Sequence, residues 1–529
     1  MIPRQTQSAA YWESFAVTSD DLDYLANYLL EANGPRSIDD LAIALIEHRC
    51  RQEEQALAKE LARGALYQPR DAYEVGQKLV FPALGFRVGT VQEIRPGFNP
   101  EHGDFTVIRV ALEGEQRLRE FAASLRTPHK LNRPAGQDGA LLDSQGLRPP
   151  AELYADVAAP VRQRLLERLR AGDAHDFVEV DEQWLLREMM ADVHIGHLNL
   201  AEAAIEERNA PISTGDLLKV IELPAEIPPA IRSFSLIYAL LRDPRFDDVG
   251  SGRHRWFLRR LEPPEAIEPP QRLRYQPMPY DRSVLTPELL RLEQELDDEW
   301  SDETGGEAEA EAASATITLI YPHRRSGTLP LSTRTRPFFP SPTGERSQVT
   351  LIDGRWGQRI PAWVVPGARF VAGLGPWYEQ NKLPVGAYLV LERTRNAYEV
   401  KIDYKPRRMK REWARLARVE NGQLILENRK LEIACEYDEL MVLGELNPAD
   451  TDALRESLHE KGVSLEELLR LVMPELMKLS SLGTAHAKTI YSAINLLRRV
   501  PPGPIFAIMA SDPAFKNVGG GYWKFVERG

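Results

Sequence analysis

The sequence predicts a multidomain α+β protein, and three observations support this fold class. At 529 residues the chain is long enough for about three to five domains. Apolar residues recur at helical spacing in some segments and alternate with a period of two in others. One pattern, D-P-x-F-x-x-V-G-x-G, occurs twice, at residues 243–252 and 512–521. Its repetition indicates a duplicated module.

The first copy of this pattern lies between a predicted helix and a predicted strand. Phe234, Ile237 and Leu241 recur at helical spacing, and Pro244 disfavours helix in the residue before it. Glycines then permit a tight turn, and Trp256 and Leu258 alternate on a return strand. A helix followed by a two-stranded hairpin is the second half of a winged helix.

The first half of such a module is indicated by capped helices. Ser37, Ser213 and Ser464 each precede an apolar run, with an acidic residue three positions later, as in a capping box. We expect Ser213 and Ser464 to begin equivalent helices in two modules. The N-terminal copy has no clear hairpin, and Tyr73–Gly76 is at most a remnant of one.

These features together resemble the HARE-HTH family of winged helices, which includes the N-terminal domain of the bacterial RNA polymerase delta subunit. The matching residues are Ser213, the helix ending at Arg242, Asp243–Phe246 with Val249-Gly250, and Trp256–Leu258. The resemblance covers about residues 185–261, more loosely 450–526, and only the front half of a copy at 21–61. It implies winged-helix modules and a role in transcription.

The rest of the chain is assigned by its periodicity. We expect winged-helix modules, a small SH3-like β-barrel, whose short strands are separated by glycines, and a larger β-rich, pseudobarrel-like domain. The predicted segments are a helical, partly winged-helix-like 1–65, an SH3-like barrel at 66–125, a linker at 126–160, a winged helix at 161–262, a proline-rich and then acidic linker at 263–315, a basic β-rich domain at 316–447, and a winged-helix-like domain at 448–529.

The charge of the chain is unevenly distributed. The formal net charge is −12, but residues 316–447 hold 21 Lys and Arg against 14 Asp and Glu. Residues 293–311 hold ten acidic residues and no basic one, so we expect their latter part to be an unfolded tether or a shield for the basic domain. No apolar run spans a bilayer, no signal peptide is evident, and two cysteines build no disulfide framework. A cytoplasmic protein is expected.

The strongest candidate site is the cationic segment 405–418. Seven cations and one acid lie within fourteen positions beside Trp413. Arginine suits phosphate oxygens and an indole can stack on a base, so the segment predicts nucleic-acid binding. The spacing of three of its arginines predicts a cationic helical stripe; a solvated helix face is the alternative. The candidate binding residues are Arg407, Arg408, Lys410, Arg411, Arg415 and Arg418.

The central module offers a second, weaker set of candidates. Its helix from about Ala230 would enter a major groove in a DNA-binding winged helix. The candidates there are Arg232, Arg242, Arg253 and Arg255. The matching C-terminal stretch 504–511 carries no charge, so we expect it to pack against protein.

Catalytic patterns are weak. Glu399 and Lys401 form the E-x-K of some metal nucleases, but the nearest upstream acid is Asp353. His194 and His197 lack two further metal ligands, and Gly483–Thr489 lacks the glycine spacing of a phosphate loop. We therefore predict no cofactor, no metal site and no catalytic residue.

The sequence favours a non-enzymatic nucleic-acid-associated protein, DNA-binding in transcription or its regulation. Expected partners are DNA, with RNA as an alternative, and RNA polymerase or another protein at the C-terminal module; no membrane is expected. The alternative is a targeting subunit or metal-dependent nuclease of a restriction or defence system.

Overall fold

The computed structural model describes residues 4–132, 147–171, 176–251, 254–301, 312–341 and 344–526. Arg253 and the segment 302–311, predicted to be unfolded, lie outside these residues. The chain forms two compact units. One contains Met1–Val193 and Leu223–Tyr238, and the other contains His194–Glu222 and Ala239–Gly529.

The first unit begins with a helical module into which a β-sheet is inserted. Its elements are α1 (Ala9–Ser14), α2 (Ser19–Ala32), β1 (Arg36–Ser37), α3 (Ile38–Leu61), β2 (Ala65–Leu66), β3 (Lys78–Phe81), β4 (Arg87–Asn99), β5 (Gly103–Leu112), β6 (Arg119–Ala123), α4 (Pro150–Arg170), β7 (Phe177–Val180) and β8 (Gln183–Leu186).

The N-terminal module has its own hairpin, contrary to the sequence-based expectation. Strands β7 and β8 pair with each other, and β8 also pairs with β1, so that Arg36 faces Trp184. Trp184 is buried in one core with helices α1 to α4. Helix α4 and this hairpin therefore complete the N-terminal module, whereas the sequence assigned residues from 161 onward to the central one.

The inserted sheet has five strands in the order β2-β3-β4-β5-β6. It curls until its ends meet, since the Leu125 amide donates to the Pro69 carbonyl at 2.9 Å and the Tyr67 hydroxyl donates to the Ala122 carbonyl at 2.7 Å. Its core includes Tyr67, Phe81 and Ile108. A small curled sheet matches the predicted position, and the name SH3-like stays a prediction.

A second module follows. Its elements are α5 (Ile195–Arg208), β9 (Ile212–Ser213), α6 (Thr214–Val220), α7 (Pro229–Arg242), β10 (Phe246–Asp248) and β11 (Arg255–Leu258). The Ser213 hydroxyl caps α6, as predicted, by accepting from the Asp216 amide at 3.1 Å. Strand β11 lies between β10 and β9, and Trp256 faces Ile212. In the first unit, Ile231 and Phe234 of α7 pack on Val178 and Leu185.

The β-rich part of the second unit comes next. Its elements are α8 (Pro264–Ile267), α9 (Pro287–Leu296), β12 (Ser314–Thr318), α10 (Tyr321–Ser326), β13 (Thr328–Pro330), β14 (Ser347–Asp353), β15 (Arg359–Val365), β16 (Phe370–Ala372), α11 (Gly375–Gln380), β17 (Tyr388–Arg393), β18 (Glu399–Tyr404), β19 (Pro406–Glu420), β20 (Gln423–Cys435) and β21 (Gly444–Glu445). Seven strands form one sheet in the order β12-β17-β18-β14-β15-β16-β13, and β19 and β20 form a separate hairpin joined by β21.

The C-terminal module repeats the topology of the second. Its elements are α12 (Pro448–Glu460), α13 (Leu465–Lys478), β22 (Ala485–His486), α14 (Ala487–Leu497), α15 (Pro502–Ser511), β23 (Phe515–Gly519) and β24 (Tyr522–Phe525). Strand β24 lies between β23 and β22, and Trp523 faces Ala485. Ser464 caps α13 and not the helix equivalent to α6. His486 caps the equivalent helix, α14. Ser464 is therefore not the equivalent of Ser213, contrary to the sequence-based expectation.

One tryptophan occupies the same place in all three modules. Trp184, Trp256 and Trp523 each lie on the return strand of a hairpin, and each faces the residue just before a helix N-cap. All three are buried. The duplicated sequence pattern therefore corresponds to two like hairpins, at Trp256 and at Trp523, and a third copy lies at Trp184.

The acidic segment is in part a structural element. Its first half forms the end of α9 and the turn after it, where Glu293, Asp298 and Glu299 are buried. Arg499 lies 2.6 Å from Asp298 and 2.7 Å from Glu299, and Glu299 also lies 3.1 Å from His323. Residues 293–299 therefore belong to the fold of the second unit, where Glu293 pairs with Arg282, and Asp298 and Glu299 pair with Arg499.

Candidate nucleic-acid interface

The cationic segment is a β-strand, which corrects the predicted helical stripe. Residues 406–420 form β19 and pair antiparallel with β20 from Lys410↔Ile433 to Glu420↔Gln423. Side chains on a strand alternate between faces, so Arg411 and Arg415 share a face and Arg418 points to the other. A register shift between Pro406 and Lys410 interrupts the ladder at Arg407 and Arg408.

The two faces of the hairpin are anchored in different cores. Ala414, Leu416 and Ile433 belong to the core of the seven-stranded sheet. Ala417 and Leu426, on the other face and nearer the turn, belong to the core of the C-terminal module. This anchoring fixes the part of the ladder from Ala414 onward, whereas residues 408–411 at its start are exposed.

Three of the predicted binding residues are exposed cations. Arg408, Lys410 and Arg411 are exposed, and among the described residues none of them has an ion-pair partner. Glu432 faces Arg411 across the ladder and is the nearest acid in register. Unpaired clustered arginine carries a local positive potential that attracts phosphate.

An exposed aromatic side chain lies beside one of these cations, Arg411. Trp413 is 66% exposed and shares a face with Arg411, two residues earlier. The ammonium of Lys430, directly across the ladder, lies 5.1 Å from the centre of its ring. Lys430 was not among the sequence candidates, and only the strand pairing brings it to Trp413.

Of the other three predicted residues on this strand, Arg407 and Arg418 are ion-paired within the chain and Arg415 is held by a backbone carbonyl. Arg407 pairs with Glu412 and lies 4.9 Å from the Tyr437 ring centre. Arg418 lies 2.6 Å from Glu420 and 3.1 Å from Glu427, and its hydrogen bond to Glu420 raises its pKa. Arg415 donates to the Glu439 carbonyl. These residues stabilise the hairpin and offer less charge to a ligand.

The candidates in the central module are dispersed. Arg232 is half-buried on α7, and Arg242 is exposed at its end. Arg255 donates to the Pro211 carbonyl at 3.3 Å, with its guanidinium 5.4 Å from the Tyr398 ring centre. Ser235, on the same helix, is buried and accepts a hydrogen bond from the Ala191 amide.

The uncharged helix of the C-terminal module is covered by the chain itself. Helix α15 is buried from Pro502 to Ala507 and packs in the same core as α9. A Cβ on Gly503 would lie 2.4 Å from the Tyr280 hydroxyl oxygen and 3.1 Å from a Glu293 oxygen. Helix α15 was predicted to pack against protein, and residues 280–293 of the same chain cover it.

The β23–β24 hairpin of the C-terminal module carries a lysine pair that the sequence analysis missed. Lys516 and Lys524 face each other across β23 and β24, and both are exposed. Like charges directly opposite each other destabilise a ladder, so an anion at this position would stabilise it. Only the strand pairing reveals the pair, since eight positions separate the two lysines in sequence.

The nuclease residues do not converge. Strand β18 lies beside β14, so Asp353 is one strand from Glu399 and Lys401. Asp353 faces Ile402 in register and therefore lies on the opposite face of the sheet from Glu399 and Lys401. Glu399 pairs with Arg359, and Lys401 lies 2.8 Å from Glu392.

The histidine pair and the glycine-containing segment 483–489 have structural contacts in the described part of the chain. The rings of His194 and His197 stack at 3.8 Å, and His194 caps α5. Gly483–Thr489 spans β22 and the start of α14, where Lys488 lies 2.8 Å from Glu295. Within the described ranges, no group of three or more His, Cys, Asp or Glu is placed to hold a metal ion.

Comparison of the chain with known protein families, with curated proteins and with solved structures finds no match. In the part of the chain that the structure describes, no helix is both long and apolar enough to cross a bilayer.

Proposed function

We propose that this chain is a nucleic-acid-associated protein that contacts its ligand through the β19–β20 hairpin, without catalysing a reaction. The observation that carries the proposal is the set of three unpaired cations at the start of β19, one of which, Arg411, shares a face with the exposed indole of Trp413. Phosphate contacts from Arg408, Lys410 and Arg411 would supply affinity, and Trp413 would stack on a base.

The repeated modules support the same class of function. In all three copies the tryptophan of the hairpin faces the residue just before a helix N-cap. This repetition supports the winged-helix interpretation and the HARE-HTH resemblance. In the C-terminal copy α15 is covered, and in the second copy Ile231 and Phe234 of α7 are buried. We therefore assign the modules a scaffolding or protein-binding role, in transcription as the resemblance implies, and assign the main nucleic-acid contact to the hairpin.

The exposed indole favours an unpaired strand over a closed duplex. Stacking on an aromatic ring contributes about 1–3 kcal/mol per base, and it requires a base that is not already stacked on both sides. A duplex would engage the cations alone. Affinity for single-stranded DNA or RNA should then exceed affinity for duplex of the same length.

The test is fluorescence anisotropy with labelled single-stranded DNA, RNA and duplex of equal length, measured at several salt concentrations. The triple variant Arg408→Glu, Lys410→Glu, Arg411→Glu should lose at least tenfold in affinity. The slope of log affinity against log salt should become shallower by about 2, since each phosphate contact contributes about 0.7–0.9 to its magnitude.

A matched control carries the same change in charge. Arg87→Glu, Arg95→Glu, Arg119→Glu alters three exposed arginines of the five-stranded sheet, each already ion-paired. It should leave the affinity within about twofold. Equal losses in both variants would mean that net charge, and not the hairpin, governs binding.

A further inference from the structure

A cavity of about 680 Å³ lies within the second unit, away from the hairpin. It opens between α12, the start of α13, the end of α14 and the segment 271–278. Four arginines contribute to its wall, namely Arg274, Arg455, Arg498 and Arg499. Glu456 is the one acidic residue among the described residues of this wall.

Two of these arginines are already neutralised. Arg499 is paired with Asp298 and Glu299, and Arg274 lies 2.7 Å from Glu268. They close the wall without adding an unbalanced charge.

The other two arginines have no carboxylate partner in the described part of the chain. Arg455 and Arg498 are both half-buried, and neither forms an ion pair there. Arg498 donates to the Val463 carbonyl, which orients its guanidinium but does not balance it. Burial lowers the pKa of both groups, and for Arg455 the nearby Glu456 offsets only part of that effect.

A half-buried, unpaired guanidinium is costly, because it has lost part of its hydration without gaining a counter-charge. Two of them on one cavity wall are compensated if an anion occupies the space. Arginine presents a planar fork of donors that matches phosphate oxygens bidentately.

The rest of the wall indicates what the anion is attached to. Pro277, Met278, Leu458, Val463 and Leu497 supply an apolar surface. The volume lies in the usual range for sites that bury a small organic ligand. Inorganic phosphate alone would leave most of this surface wet.

We propose that this cavity binds a small phosphorylated molecule whose phosphate monoester lies between Arg455 and Arg498 and whose apolar or ring portion contacts Met278 and Leu458. A nucleoside monophosphate has this chemistry. Binding there is separate from nucleic-acid binding at the hairpin, and either can fail without the other.

The test is isothermal titration calorimetry on the full chain with three probes: inorganic phosphate, a nucleoside monophosphate and the corresponding nucleoside. The monophosphate should bind saturably, at least tenfold more tightly than either other probe. Arg455→Met and Arg498→Met should each weaken it at least tenfold, while Arg455→Lys, which keeps the charge, should lose less.

Two controls separate a local effect from unfolding. Arg470→Met removes an exposed arginine of α13 that is paired with Asp512, and it should bind as the parent protein does. The hairpin triple variant should also retain monophosphate binding. The proposal is overturned if the monophosphate shows no saturable heat, or if it binds Arg455→Met and Arg498→Met with unchanged affinity.

Discussion

Arg499→Met should be among the most destabilising single substitutions in the second unit. Arg499 is 6% exposed, lies 2.6 Å from Asp298 and 2.7 Å from Glu299, and donates to Asn495. Methionine fills a similar length but leaves buried Asp298 without its cation and buried Glu299 with His323 alone. Breaking a buried ion pair from one side costs about 3–5 kcal/mol, since the remaining charge is uncompensated.

The loss should depend on pH in a definite direction. Burial alone would raise the pKa of Glu299, but Arg499 and His323 reverse this and hold it below its ordinary 4.5. A carboxyl with a lowered folded-state pKa contributes stability that is full above about pH 4.5 and is lost as the pH falls below that value. The difference between parent and variant should therefore be largest near neutral pH and shrink in acid.

The assay is hydrogen exchange of peptides from α14, read as a local free energy of opening at pH 7 and, with urea, at pH 4. Arg470→Met is the control, because Arg470 remains 55% exposed in its ion pair with Asp512 and the pair should contribute about 1 kcal/mol or less. If Arg499→Met and Arg470→Met cost the same, the buried cluster does not stabilise the unit as argued.

Three further predictions concern other parts of the molecule. Trp184→Ala should destabilise the N-terminal module by about 3–5 kcal/mol in urea unfolding, because the indole is fully buried, whereas Trp413→Ala should cost under about 1 kcal/mol; equal costs would contradict the assignment of Trp184 to that core. Gly503→Ala should cost about 1–3 kcal/mol and speed exchange in residues 280–296, since its Cβ would meet Tyr280; unchanged exchange there would show that this segment does not cover α15. Burial raises the pKa of Glu262 to about 8, so the parent should lose stability relative to Glu262→Gln as pH rises from 5 to 9, and parallel curves would contradict this.

Local signals in the sequence predicted the capped helices and two of the three hairpins. Ser37 and Ser213 cap their helices through a hydroxyl and an acid three residues later, and this information is contained within four positions. The hairpin at Trp256 was marked by glycines and a D-P-x-F motif, so its turn was visible in the sequence.

The N-terminal hairpin was missed for two physical reasons. The inserted sheet separates β8 from its partner β1 by more than a hundred residues, so no local pattern joins them. The turn between β7 and β8 places Asp181 and Glu182 at φ 48° and 61°. Glycine or asparagine usually occupies this left-handed conformation, so the sequence gives no sign of the turn.

The cationic segment was misread because its arginines happen to recur at helical spacing. The buried residues indicate a strand: Ala414 and Leu416 are buried on one face on either side of half-buried Arg415, and Ala417 is buried on the other face. The partners of Arg407 and Arg418 depend on this conformation, so sequence alone could not separate the neutralised arginines from Arg408, Lys410 and Arg411.

The central claim is that nucleic acid lies along the start of β19 and stacks on Trp413. Photocrosslinking of a single-stranded oligonucleotide containing 4-thiothymidine, followed by mass spectrometric mapping, tests it most directly. We expect the adducts to fall in residues 408–415 and to disappear in Trp413→Ala. Adducts confined to the helices of the three modules, with none on the hairpin, would contradict the claim.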